Sequence, residues 1–219
     1  MDNKIEIEIE EMGKIVFEKL RDDNKNKGNM PIKQSKIVKT IYYDEFKELL
    51  DNKYLLSLLR KRKKIRIFKS NAINLISKYR YDVFVKYYYV QAYITKNNYS
   101  LAKKIYLDNI KSFNNFREPD GRKKGPKDFV EKFNELIDDI KINGNKKTII
   151  PITKNGEIID GSHRLAISLY LKLDVEFAIF DFLDVNYGKE FFLNRGFKRK
   201  YSKIIDEEVI RRYEKAKLF

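Results

Sequence analysis

The sequence predicts an α+β protein: a small mixed sheet with a strand–turn–helix, packed with a mainly helical N-terminal half. Two observations lead there. Through most of the first half, apolar residues recur at helical spacing. From about 126 to 182 the pattern instead reads α-β-β-α-β, with short strand-like runs between two helices.

Taken in order, residues 5–10 alternate Ile and Glu as a short strand, and Met12–Arg21 suits a short helix. The polar stretch 22–31 ends in Pro31 and reads as a linker. Asp44–Arg60 sets Phe46, Leu49, Leu50, Leu55 and Leu58 at near-helical spacing. Arg60–Lys69 is the densest basic run, suited to a solvated helix end, a strand edge or a phosphate-facing patch. Val83, Phe84, Tyr87, Tyr88 and Ala92 line one face of the next helix, and Tyr99–Phe116 forms another. After a loop at 117–126, Pro126 opens a helix carrying Phe129, Phe133, Leu136, Ile137 and Ile140, which Asn143 and Gly144 close. Lys147–Ile152 and Glu157–Asp160 then read as strands joined by a turn at 154–157. Ser162–Leu173 is helical, Val175–Phe182 is an apolar strand, and 186–219 holds two short helical patterns. The implied organisation is an N-terminal, mostly helical extension over 1–79, a core over 80–185 and a helical tail over 186–219.

Composition narrows the function classes. Hydrophobic residues make up 42% of the chain and 15 Tyr plus 15 Phe supply a core, which excludes disorder throughout. The absence of Cys excludes disulfides, thiolate metal sites and a cysteine nucleophile, and a single His excludes a multi-histidine metal site. No apolar run approaches the roughly 20 residues of a membrane span. The acidic start lacks a signal-peptide core, so a cytoplasmic location is expected. The net charge of +15 fits a nucleic-acid partner, and fits equally well the Lys, Asn, Ile and Tyr bias of an AT-rich genome.

Chemistry concentrates in Ile158-Ile-Asp-Gly-Ser-His-Arg-Leu-Ala166. A strand ends at Asp160 and Gly161, and a helix opens with Ser162, His163 and Arg164. Unpaired N–H groups at a helix start, the positive end of its dipole and a glycine that admits close approach together make an anion site. Ser162 adds a hydroxyl, and Arg164 can pair with phosphate oxygens through two hydrogen bonds. The only His of the chain falls in this segment.

Ile149 to Ala166, preceded by the helix at 129–144, resembles the nucleotide-binding core of the ParB/sulfiredoxin superfamily over about residues 115–182. The resemblance implies that Gly161, Ser162, His163 and Arg164 hold the phosphates of a nucleoside triphosphate, with Mg²⁺. Sulfiredoxins carry a Cys where this chain has Ser162. ParB proteins carry an Arg at His163 and append a helix-turn-helix domain, for which Leu183–Phe219 is short. Asp-Gly-Ser-His-Arg is most similar to the small-molecule kinase branch, which includes free serine kinases. That branch implies ATP and Mg²⁺ as cofactors and a small hydroxylated substrate: a sugar, a polyol, or an amino alcohol or acid. It also implies an acidic base near the acceptor, for which the loop offers Glu118 and Asp120 and Glu118 is chosen, Asp160 as a ligand for Mg²⁺ or the acceptor hydroxyl, and Arg164 as the stabiliser of phosphoryl charge. Lys123 and Lys124 are further phosphate clamps. Each has a plainer role open to it: a solvated loop carboxylate for Glu118, a turn cap for Asp160 and a surface ion pair for Arg164. A broader resemblance, carried by Arg80-Tyr-Asp, 107–120 and Asp-Gly-Ser-His-Arg together, is to bacterial proteins associated with surface-polysaccharide genes. The alternative reading is a ParB-like, CTP-regulated DNA-binding protein without phosphoryl transfer.

Overall fold

The computed structural model describes residues 35–50, 52–59, 64–77, 79–118, 121, 123–145, 149–180 and 185–217. The strand and helix expected at 5–10 and 12–21, and the linker at 22–31, lie outside them.

Among the described residues the chain is α+β, with eight α-helices and one four-stranded mixed sheet. The strands are β1 (Lys36–Tyr42), β2 (Lys64–Asn71), β3 (Ile150–Thr153) and β4 (Asp174–Phe180), in the order β1-β2-β4-β3. β2 runs antiparallel to both neighbours, while β3 and β4 are parallel, with Ile150 opposite Phe177. Parallel strands need a crossover, and helix α6 (Ser162–Leu171) supplies it.

Both faces of the sheet are covered over β2, β4 and β3, while β1 is exposed except at Ile41. Ile65, Ile67, Ala178 and Phe180 pack with Phe46 and Leu55 from the short helices α1 (Tyr43–Phe46) and α2 (Lys53–Leu59). Phe68, Val175, Phe177, Ile150 and Ile152 pack with Val83 and Tyr87 of α3 (Tyr81–Thr95) and Leu165 and Ala166 of α6. α3 is the central helix, lying against α6, α4 (Tyr99–Asn114) and α8 (Arg199–Lys217). α5 (Pro126–Asn143) closes an aromatic cluster with α3 and α4 through Phe129, Phe133, Tyr89 and Tyr106. The tail folds back: Phe192 of α7 (Lys189–Leu193), Phe197, and Tyr201 and Ile205 of α8 bury against Tyr81, Val85 and Ile105.

Several expectations change. The stretch expected as a mostly helical extension over 1–79 contributes, among its described residues, two of the four strands. β2 was concealed by its charge. Lys64, Ile65, Arg66 and Ile67 alternate exposed and buried, but the Lys and Arg density of the run hides that period of two. β2 is also an interior strand and not an edge. The single helix expected over 44–60 is two short ones, because Asn52 restarts the chain by accepting the Leu55 N–H at 3.1 Å. The strand expected at 157–160 shrinks to one antiparallel bridge, Ile152 to Ile158. The turn that precedes it is held by Thr153, whose Oγ1 accepts from the N–H groups of Asn155 and Glu157 at 3.2 Å.

Candidate functional site

The turn between β3 and α6 reaches its shape through Gly161, whose φ of +87° is a conformation other residues adopt only with strain. A Cβ here would meet Ile150 Cγ1 at 3.4 Å and Arg164 Nη2 at 3.5 Å, so the Arg164 guanidinium lies back over the glycine. Asp160 braces the same turn. Its Oδ1 accepts the Gly161 N–H at 2.6 Å, and its Oδ2 accepts from Asn52 Nδ2 at 3.1 Å. The plainer role foreseen for Asp160, a turn cap, is therefore present in the structure.

Ser162 opens α6, and its Oγ accepts a 2.6 Å hydrogen bond from Lys86 Nζ. Lys86 also donates to Asp82 Oδ2 at 2.6 Å. Arg80 grips the same carboxylate with two bonds of 2.9 Å, from Nε and Nη2, and its Nη1 donates to the carbonyl of Ile158. Arg80, Asp82 and Lys86 are 3%, 2% and 4% exposed, so two cationic side chains and one carboxylate share a dry interior. Burial works to raise the Asp82 pKa, but Arg80 and Lys86 outweigh it and hold the carboxyl well below the usual range. For Lys86, burial pushes the pKa down; Asp82 opposes, while Arg80 and Lys123 add to the fall.

His163 points into the aromatic cluster. Its Nε2 lies 2.9 Å from the Tyr106 hydroxyl, and its ring meets Phe133 edge-on with centroids 4.5 Å apart. Desolvation, then the charges of Lys86, Lys123 and Arg164, lower its pKa well below the ordinary value against the opposing pull of Asp82. The imidazole is therefore neutral near pH 7. Tyr106 is held protonated by burial and by the charge of Glu118.

The loop before α5 brings in the remaining candidates. Glu118 and Lys123 form a half-buried ion pair of 2.7 Å. Their charges reach Tyr106 and His163 respectively, so both lie on the side of α6 that His163 faces. Lys124 does not join them: its side chain is exposed, and its backbone N–H donates to Asp128 Oδ2 in the first turn of α5 at 2.9 Å. Asp120 lies outside the described residues. The structure thus gathers Gly161, Ser162, His163 and Arg164 with Glu118 and Lys123, and gives Asp160 a bracing place at the edge of the group.

Sequence reading cited Arg80 and Asp82 only for the broader resemblance, and placed neither them nor Lys86 and Tyr106 in this site. One signal was available, since Asp82 and Lys86 are the only charged residues in α3, one helical turn apart on an otherwise mostly apolar helix. A groove of about 410 Å³ between α4 and α5 is lined by Lys103, Leu107, Pro126, Lys127, Val130 and Glu131, and includes none of the site residues.

Among the described residues no group of three or more His, Asp or Glu side chains could hold a metal ion. Mg²⁺ bound together with substrate phosphates needs only one or two carboxylates, and Asp160 keeps lone pairs beyond its two hydrogen bonds. Comparison of the chain with protein-family models, curated proteins and solved structures gives no match.

Proposed function

We propose that this protein binds a nucleoside triphosphate, ATP, at Gly161–Arg164 and transfers its terminal phosphoryl group to a hydroxyl of a small metabolite. One observation carries the reading: Lys86 is delivered to Ser162, at the first residue of α6, from a buried cluster with two cationic side chains and one carboxylate. An uncompensated buried charge is costly, and an anion at the adjoining helix start offsets it. Lys123 and Arg164 add positive charge on the same side, as the depressed basicity of His163 reflects.

The resemblance implies the roles, and the geometry supports them. The first-turn N–H groups of α6 and the Arg164 guanidinium take phosphate oxygens, and Arg164 stabilises the charge that develops on the transferring group. Neutral His163, steadied by Tyr106, offers a hydrogen bond without adding charge. Glu118, paired with Lys123 at 2.7 Å, is the base for the acceptor hydroxyl. Asp160 would hold Mg²⁺, which neutralises charge on the phosphates when bound. The sugar, polyol, amino-alcohol or amino-acid class of the acceptor, and a place in surface-polysaccharide synthesis, rest on the resemblance given above.

Incubation with ATP, Mg²⁺ and a mixture of hydroxylated metabolites should yield ADP and a new phosphomonoester. Arg164→Ala and Glu118→Gln should each lower that turnover by roughly 100-fold. Unchanged turnover in either variant removes the role assigned to that residue, and absence of any phosphomonoester removes the kinase reading.

A further inference from the structure

Ser162 and Lys86 form a closer partnership than phosphate binding requires. The Lys86 Nζ to Ser162 Oγ distance is 2.6 Å, and Ser162 is 7% exposed, so the pair is nearly dry but not sealed. A serine hydroxyl becomes a nucleophile when a base lies within hydrogen-bond reach and a third group orients that base. Asp82 orients Lys86 through a 2.6 Å bond, and Asp82 is itself satisfied by the two bonds from Arg80.

We propose that Ser162 is a covalent way-station: it accepts the γ-phosphoryl group of the nucleotide with Lys86 as base, and passes it on to the acceptor alcohol. The inference rests on the nucleotide-dependent reading given above and extends it from direct to double displacement.

The charges in the cluster fit such a cycle. Arg80 alone balances Asp82, so Lys86 can give up its proton and face Ser162 as an amine without leaving Asp82 unpaired. Burial favours that state, with Arg80 and Lys123 acting in the same sense and Asp82 against. In the first step Ser162 Oγ bonds to the γ-phosphorus and its proton passes to Lys86 Nζ. The bond between the γ-phosphorus and the β,γ-bridging oxygen breaks, and the nucleoside diphosphate leaves with that electron pair. Lys86 is now an ammonium beside a phosphoserine dianion, so the excess positive charge of the cluster meets its counter-charge in the intermediate. In the second step the acceptor oxygen bonds to phosphorus and loses its proton to Glu118. The Ser162 Oγ–P bond breaks, and Lys86 returns its proton to Oγ. The start of α6 supplies backbone N–H groups to the transferring phosphoryl in both steps.

The test uses the full chain with γ-labelled ATP and Mg²⁺ and no acceptor. Label should appear on Ser162 by peptide mapping, and label supplied as ADP should exchange into ATP. Ser162→Ala should abolish both signals. Lys86→Met should slow labelling by about 100-fold or more. Should Lys86→Met fail to fold, labelling of the wild-type chain decides alone. Phosphoryl transfer to a metabolite with no label on Ser162 overturns the covalent step and leaves the kinase reading standing, as does label confined to another residue. Absence of both ATP binding and ADP formation overturns the covalent step and the kinase reading together.

Discussion

His163 is placed to stay neutral: its ring is desolvated and Lys86, Lys123 and Arg164 surround it. A consequence follows for stability. The unfolded chain takes up a proton on this residue near pH 6.5, whereas the native chain does so only well below that value. Below about pH 6.5 the unfolded state therefore binds more protons, and stability falls with pH by up to about 1.4 kcal/mol per unit until the native pKa is reached. Asp82 works in a separate, more acidic window. Its lowered pKa contributes stability above about pH 4 that is lost as the carboxyl protonates. Urea denaturation at pH 7.5, 6.5 and 5.5 should show the wild type weakening over the lower interval and His163→Gln nearly flat. An equal slope in both proteins contradicts a neutral, desolvated His163.

At the scale of elements, α3 anchors the α6 turn twice, through Arg80 to the Ile158 carbonyl and Lys86 to Ser162. Arg80→Ala strands part of the Asp82 charge and leaves that buried carbonyl without this donor. Its expected cost is about 3–5 kcal/mol in urea denaturation, and a loss below about 1 kcal/mol denies the cluster its structural part. This anchoring also explains what was legible beforehand. α5 could be read because Pro126 opens it and Gly144 closes it, and the start of α6 because Asp160, Gly161 and Ser162 are neighbours in sequence. The contact of Lys86 with Ser162 spans 76 positions and exists only because α3 packs on α6. No local pattern encodes such a meeting; within α3 itself only the Asp82–Lys86 spacing hinted at it. β2 escaped for a different reason, since its Lys and Arg residues are solvated on alternate positions and hide the apolar period that pairs it with β4.

Across the whole molecule, the sheet needs residues on both sides of α3–α5: β1 and β2 precede those helices in the chain, and β3 and β4 follow them. The tail, through Phe192, Phe197 and Tyr201, buries against α3 and so supports the helix that follows Arg80 and carries Asp82 and Lys86. The net charge of +15 takes a local meaning in this arrangement. Among the described residues Arg80 and Lys86 are buried, and they meet at one turn. No helix among the described residues is long and apolar enough to cross a membrane. The central claim is that the start of α6 is a triphosphate site, and a thermal-shift panel of ATP, CTP, GTP and ADP with and without Mg²⁺ tests it most directly. The account predicts that ATP with Mg²⁺ raises the melting temperature by roughly 5 °C or more at saturation, and that Arg164→Ala loses most of the rise. A melting temperature unmoved by every nucleotide contradicts it.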